Sequence, residues 1–538
     1  MNTPSNSGMR LTRRRFLGTG AAAGALALSR FTPAYAALAP GDVLSKSVVE
    51  IAAMLRGKQI SSVELVKRCY ARIDEVNPVL NAVVTTCRER ALAEAQQADE
   101  AIAAGKSLGP LHGVPFTIKD SFDTAGVVST GGTLGRKSYV PGKDASVVDR
   151  VRKAGGILLG KTNTPEFTLG GLAGINAASN LLYGSSHNPY DLTRSTSGSS
   201  GGAGAIVAAG GAFFDLGSDY GGSIRGPAYA NGITGIKPTY GRSPRTGHIV
   251  DYGGAFDNFQ ETGPLARRVD DLYLILSIIA GPDGIDPMMA PVPLGEPAKV
   301  DLKKLRVAYY VTNGQKDPSS EIQSLVKKCA GYFSDLGCKV TQDAPPKMKE
   351  LSDIRQAYSS ADGGDHMRRM LKKHGTTQAS PGLRLDGHEL PSADFTRLLE
   401  EMDAIKSEQL TWLEQYDLIL CPASAEPARP VPVQFVNPQG QHRRRLRRHD
   451  QRIQHHRLAG RRGPRRHLRR RRRHAAGCAG GGPAVARRRG AGGHGAHRKQ
   501  ERRLAAAAAV AVAVPPSFTK PLHRSSGPAL FRNRPNTP

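Results

Sequence analysis

Two segments, Ser195-Thr-Ser-Gly-Ser199-Ser200-Gly-Gly202 and Gly217-Ser-Asp219-Tyr-Gly221-Gly222-Ser223-Ile-Arg225, flank a helix-like apolar run and a short strand-like one. A Gly/Ser loop on its own fits a flexible linker. Here the first loop leads directly into the apolar run, so the glycines lie inside a folded core. Glycine lets the backbone approach closely and take dihedrals closed to other residues. Clustered backbone N–H groups can hold a developing oxyanion. The pattern is that of N–H donors packed around a small reactive centre.

Outward from this centre, short apolar runs alternate with helical stretches. Val114–Ile118, Gly156–Leu159, Phe213–Leu216, Leu305–Val311 and Tyr416–Leu420 read as buried strands. Ser146–Ala154, Gly202–Ala209 and Ser319–Leu336 read as helices. Nearer the start, Ser47-x-x-Glu50 and Ser61-x-x-Glu64 have the capping-box form that opens a helix. A third helix spans Arg88 to Ala104 and stops at Gly105. Strands alternating with helices predict an α/β fold, a mixed sheet flanked by helices in one large domain over residues 37–438. Residues 341–410 read as helical cap material that builds a pocket wall.

A serine hydroxyl is a poor nucleophile until a base takes its proton. His112, His187 and His248 lie near these motifs, but the Ser223 loop lacks the G-x-S-x-G elbow of the Ser-His-Asp hydrolases. Lysine is the other candidate. Lys119 ends the apolar stretch Gly113-Val-Pro-Phe-Thr-Ile-Lys119-Asp120, and burial there favours its uncharged form. The competing reading is a surface lysine paired with Asp120.

Taken together, the segments from about Val48 to Gly281 resemble the amidase-signature family. Gly109-Pro-Leu-His-Gly-Val-Pro115, Lys119-Asp120, Gly160-Lys-Thr-Asn-Thr-Pro-Glu-Phe167, Ser197–Gly202, Gly217–Arg225, Gly235-Ile-Lys-Pro-Thr-Tyr-Gly241 and Gly263-Pro-Leu-Ala-Arg267 stand in the family's order. Tyr416-Asp-Leu-Ile-Leu-Cys-Pro-Ala-Ser424 is similar to a later family strand. The resemblance implies the family's fold and hydrolysis of a small-molecule amide, with neither metal nor cofactor. It implies a Ser–cis-Ser–Lys triad, with Ser223 as nucleophile, Ser199 as the bridging serine after a cis peptide and Lys119 as base. Tyr220, Gly221 and Gly222, with Ser223, would supply the oxyanion N–H groups. Ser200, Asp219 and Arg225 would hold the loops in place. A glutaminase subunit of a tRNA-dependent amidotransferase is the rival within the family.

Charge is distributed unevenly along the 538 residues. Of 75 Lys and Arg, 27 lie in 441–538 and five in 1–36, so 37–440 carries 43 bases against 44 acids. That near-neutral body calls for no nucleic-acid partner. Residues 1–36 read as a signal peptide: Thr12-Arg13-Arg14-Arg15-Phe16-Leu17-Gly18, an apolar run to Leu28, then Ala34-Tyr35-Ala36. They resemble a twin-arginine signal, which implies the twin-arginine export machinery as a partner and a periplasmic or extracellular location. The run is too short to span a bilayer.

Residues 439–538 are rich in Arg, Ala and Gly and are expected to be disordered. The family's closing strands are not recognisable there. The preferred reading is a reading-frame shift near Gln439–Arg443, because GC-rich sequence read out of frame has this composition. A non-catalytic remnant whose basic tail binds polyanions is the rival from another class. The six cysteines make neither a disulfide framework nor a zinc site, although Cys329 and Cys338 are near enough in sequence to pair. A homo-oligomer is compatible with the sequence and not read from it.

Overall fold

The computed structural model describes Leu38, residues 41–172, 177–250, 252, 254 and 259–431, and the backbone of 510–513. The chain opens with α1 (Val48–Arg56) and α2 (Ser62–Leu80), then β1 (Val83–Thr86) and α3 (Arg88–Ala103). β2 (Pro115–Lys119), α4 (Ser146–Lys153) and β3 (Ile157–Thr162) follow, with a small ribbon of β4 (Ser179–Asn180) and β5 (Gly184–Ser185). Next come α5 (Gly201–Ala208), β6 (Phe214–Asp219), α6 (Arg225–Ala230), β7 (Thr234–Gly235), β8 (Glu261–Ala266) and α7 (Val269–Ile279). The remainder comprises β9 (Arg306–Tyr309), α8 (Ser320–Asp335), β10 (Lys339–Gln342), α9 (Met348–Ser360), α10 (Asp365–Lys373), α11 (Ser392–Leu413), β11 (Leu418–Pro422) and β12 (Val510–Ala513).

Local signals set the helix starts. Ser47 accepts from the Glu50 N–H while the Glu50 carboxylate accepts from the Ser47 N–H, a complete capping box. At α2 only the first half forms. Ser61 accepts from Glu64 N, but the Glu64 carboxylate takes the guanidinium of Arg68 instead.

The main sheet is six-stranded, in the order β1-β3-β2-β6-β8-β7. Its centre, β3-β2-β6, is parallel, and β1, β8 and β7 add antiparallel edges. The central strands are buried throughout, which is why their sequences read as nearly continuous apolar runs rather than alternating ones. β2 and β6 pair Thr117 with Asp215 and Ile118 with Leu216. Their carboxyl ends, Lys119 on one and Ser218 and Asp219 on the other, therefore finish side by side. Ligands in open α/β sheets bind at such strand ends. β6 runs beyond the expected Leu216 to Asp219 because β8 pairs with it as far as Glu261.

A second sheet, β10-β9-β11-β12, has its own small core of Leu305, Val307, Cys329, Ala330, Cys338, Leu418 and Leu420. Cys329 and Cys338 stay free thiols within it, and the Cys338 Sγ–H donates to the Leu302 carbonyl at 3.0 Å. Four residues of the tail expected to be disordered, Val510–Ala513, form the strand that pairs antiparallel with β11. The rest of 439–538, with Cys478, and the whole of 1–36 lie outside the described residues. In the expected cap, Met367, Met370 and Leu383 pack on Phe167, Ile249 and Val250 of the body. Among the described residues no helix is long and apolar enough to cross a membrane.

Candidate active site

Three chain segments meet at the carboxyl ends of β2 and β6. The first is Lys119, the last residue of β2, whose side chain is fully buried. Its Nζ lies 2.6 Å from Ser199 Oγ, 2.9 Å from Ser218 Oγ and 3.4 Å from the Ser218 carbonyl oxygen. Burial pushes the amine down to about 7 against the pull of Asp219 and Asp215. A buried amine poised near neutrality and hydrogen-bonded to a hydroxyl can accept that hydroxyl's proton. The reading of Lys119 as a surface residue paired with Asp120 is overturned. Asp120 turns the other way, accepting from the Thr130 N–H at 3.1 Å and from the Thr130 hydroxyl.

The second segment is the loop that enters α5. The Gly198–Ser199 peptide is cis. Ser199 is buried, and the N–H of the next residue, Ser200, donates to the carbonyl of Ser223 at 3.1 Å. That backbone bond ties the Ser199 turn to the third segment, Gly221–Arg225. Ser223 is the more accessible of the two serines at 8 % exposure, against 1 % for Ser199. Among the described residues no hydrogen bond joins the Ser199 and Ser223 hydroxyls, and the two segments are linked through the backbone.

Asp219 organises the third segment. Its carboxylate accepts from Gly222 N at 2.7 Å and Ile224 N at 3.0 Å, and forms a forked pair with Arg225 Nε and Nη2 at 3.0 and 2.9 Å. Burial alone would raise this carboxyl. The Arg225 bonds and charge, with the two backbone donors, outweigh that and hold it well below the usual carboxylate range. Gly222 reaches this geometry with φ of 117°, in the region that favours glycine. The Gly222 N–H, expected to face an oxyanion, donates to Asp219 in this structure. The N–H groups of Gly221 and Ser223 have no acceptor among the described residues.

Ser200 sits on the far side of the turn, its Oγ 3.5 Å from the Ser218 carbonyl oxygen. From the cap, α9 brings Arg355 Nη2 within 3.4 Å of the Tyr220 carbonyl oxygen, and Ser359 Oγ within 2.6 Å of the Tyr220 hydroxyl. Part of the 341–410 stretch therefore borders the loop.

Two polar neighbours of Lys119 do not stand out in the sequence. Asp215, beneath Lys119 on β6, accepts from Thr117 Oγ1 at 2.7 Å and Thr162 Oγ1 at 3.1 Å. Burial raises it to about 7 against those two bonds. An acid inside an otherwise apolar strand was the available signal. Ser218 lies within the quoted motif but was not given a role. Of the three histidines weighed as bases, His112 bonds the Ala98 carbonyl and Leu108 N, and His187 bonds the Leu192 carbonyl. Only His248 among them reaches the site, through Ser218.

The Amidase family model matches residues 64–437. The chain is 40% identical over 302 residues to an acylamidase of Rhodococcus erythropolis, covering 56% of this chain and 61% of that one. It is 44% identical over 330 residues to a glutamyl-tRNA(Gln) amidotransferase subunit from Carboxydothermus hydrogenoformans, covering 60% of this chain and 65% of that one. In both cases the match spans less than two thirds of the relative. The solved structure of 6-aminohexanoate cyclic dimer hydrolase complexed with substrate is similar at a TM-score of 0.63 and 26% identity, over 72% of this chain and 81% of that one.

Proposed function

This chain belongs to the amidase family, and from that premise we propose that it hydrolyses a carboxylic amide to the acid plus ammonia or amine through an acyl-Ser223 intermediate. The observation that carries the reading is the buried, near-neutral Lys119 amine 2.6 Å from Ser199 Oγ, with the Ser199 turn tied to Ser223 by the adjacent peptide.

Lys119 takes the Ser199 proton as Ser199 takes that of Ser223, through a contact between the two hydroxyls that closes when the amide binds. Ser223 Oγ attacks the amide carbonyl, and the N–H groups of Gly221 and Ser223 face the developing oxyanion, with Tyr220 completing the loop. Loss of one such donor typically costs roughly 10²–10³ in turnover. The proton returns along the same path to the leaving nitrogen. Water then attacks the acyl carbonyl as its proton passes by way of Ser199 to Lys119, the bond from the acyl carbon to Ser223 Oγ breaks, and the proton returns to Ser223 Oγ as the acid leaves. Asp219 and Arg225 keep the loop in shape while charge moves.

Ser223→Ala is expected to abolish ammonia release from simple amides while leaving the circular dichroism spectrum and thermal midpoint near those of the parent. Full turnover by this variant would refute the assignment.

The glutaminase reading is supported by the similarity to the amidotransferase of Carboxydothermus hydrogenoformans. Glutamine turnover that depends on a second protein chain would favour it over a free-standing amidase. Against it stands the proposed export signal in residues 1–36, supported by the order Arg13–Arg15, apolar run, Ala34-Tyr35-Ala36. We place the working protein outside the cytoplasm on that ground. The frame-shift reading of 439–538 rests on composition alone, and translation of the gene in its other two frames tests it.

A further inference from the structure

The lysine–serine contact has a second support that the relay does not use. Ser218 Oγ stands between two nitrogens, 2.9 Å from Lys119 Nζ and 2.9 Å from His248 Nε2. His248 is held from every side. The Val250 N–H donates to its Nδ1 at 3.3 Å, the Gln260 side-chain amide lies 3.1 Å from the same atom, and the Phe122 ring packs edge-on at 4.9 Å between centroids. Because a backbone N–H can only donate, Nδ1 is the acceptor and the ring proton sits on Nε2, directed at Ser218 Oγ. His248 is 3 % exposed, and burial first, with the charges of Arg245 and Arg136, keeps it neutral even when the Lys119 amine is uncharged. A neutral ring with its free nitrogen already bonded cannot serve as the proton acceptor for Ser223, and it does not touch Ser199 or Ser223.

We infer that His248 is a positioning residue for the base: through Ser218 it fixes the Lys119 amine on Ser199. Two atoms of Ser218 bond the amine, the Oγ and the carbonyl oxygen. The carbonyl is locked in β6, whereas the hydroxyl could rotate away unless a second group holds it. His248 is that group. It comes from the loop after Gly247, so the orientation of the amine is set by a third segment in addition to β2 and β6. The inference rests on the reading of Lys119 as the base.

A double-mutant cycle on the full chain tests it, with amide turnover, KM and thermal midpoint as readouts. His248→Leu should lower kcat roughly 10- to 100-fold, the range expected when a catalytic group is misplaced, with KM changed less than about twofold. His248→Gln, which keeps an amide able to reach the Ser218 hydroxyl, should recover most of the loss. Ser218→Ala combined with His248→Leu should be no slower than Ser218→Ala alone, because the histidine acts through that hydroxyl. Additive losses in the double variant, or wild-type kcat in His248→Leu, would overturn the inference. If His248→Leu does not fold, His248→Asn, a polar side chain too short to reach the Ser218 hydroxyl, takes its place in the cycle and decides between additive and non-additive. Lys119→Ala in the same series separates the two readings. If it is active, the base assignment fails; if it is inactive beside an additive cycle, only His248 is displaced.

Discussion

At the residue scale the decisive quantity is the charge on Lys119. An exposed lysine amine, with an ordinary value near 10.5, is protonated and useless as a base at neutral pH; burial brings this one down to about 7. Activity should therefore rise with pH along a limb centred near 7, and a pH profile of kcat/KM measures it. Lys119→Ala should lose that limb along with most of its turnover. A stability effect accompanies it. The folded state binds fewer protons than the unfolded state between about 7 and 10.5, so this group makes stability increase as pH rises through that window. Lys119→Met should flatten that part of the stability–pH curve, as read by chemical denaturation at several pH values. A slope unchanged by the substitution would show that the amine is charged in the folded protein.

The elements that hold these residues are short and closely packed. α5 follows directly on Ser199 and Ser200, and its glycines let it lie against the sheet. A Cβ at Gly202 would stand 2.4 Å from Asn163 N and 2.7 Å from the Ala82 carbonyl oxygen, both backbone atoms that cannot swing aside. Gly202→Ala should cost about 1–3 kcal/mol, the usual range for overpacking, with a lower thermal midpoint. It should also impair turnover, because the turn carrying Ser199 moves with the helix. Strand and helix existence was legible at this scale because buried parallel strands carry predominantly apolar runs. Their ends were less so. β6 carries on through Gly217, Ser218 and Asp219, residues with little strand character, because β8 supplies partners for all of them. Pairing with a distant strand overrode local preference there.

Across the whole molecule, the cap and the body are joined through Glu166, which sits in the segment Gly160–Phe167. Its carboxylate accepts from Thr133 Oγ1 at 2.7 Å and from the Ser380 N–H at 2.6 Å, while Thr376 Oγ1 lies 2.6 Å from Thr133 Oγ1. Removing this carboxylate leaves the buried Ser380 N–H without its acceptor, at about 1–3 kcal/mol, while the Thr133 hydroxyl keeps Thr376 Oγ1 as a partner. Glu166→Ala should raise amide hydrogen exchange around residues 374–386 while the central strands stay protected. Equal loosening of both regions would mean that cap and body unfold as one unit. On the opposite side, Ser195 N donates to the Arg429 carbonyl and Val431 N to the Thr193 carbonyl, at 2.8 and 2.7 Å. The backbone just ahead of residue 432 thus braces the loop that leads to Ser199.

Residue order was enough to establish the α/β class, the positions of the central strands and the residue types gathered around the two Gly/Ser segments. Those follow from periodicity, burial preference and the special freedom of glycine, which act over a few residues. Folding in three dimensions was needed to show that Lys119 is buried rather than paired with Asp120. It was needed too for the engagement of the Gly222 N–H by Asp219, and for the place of Ser218 and His248 beside Lys119. Each of these depends on which distant segment arrives beside which. A charge's environment is made by neighbours far away along the chain, and no local pattern records them.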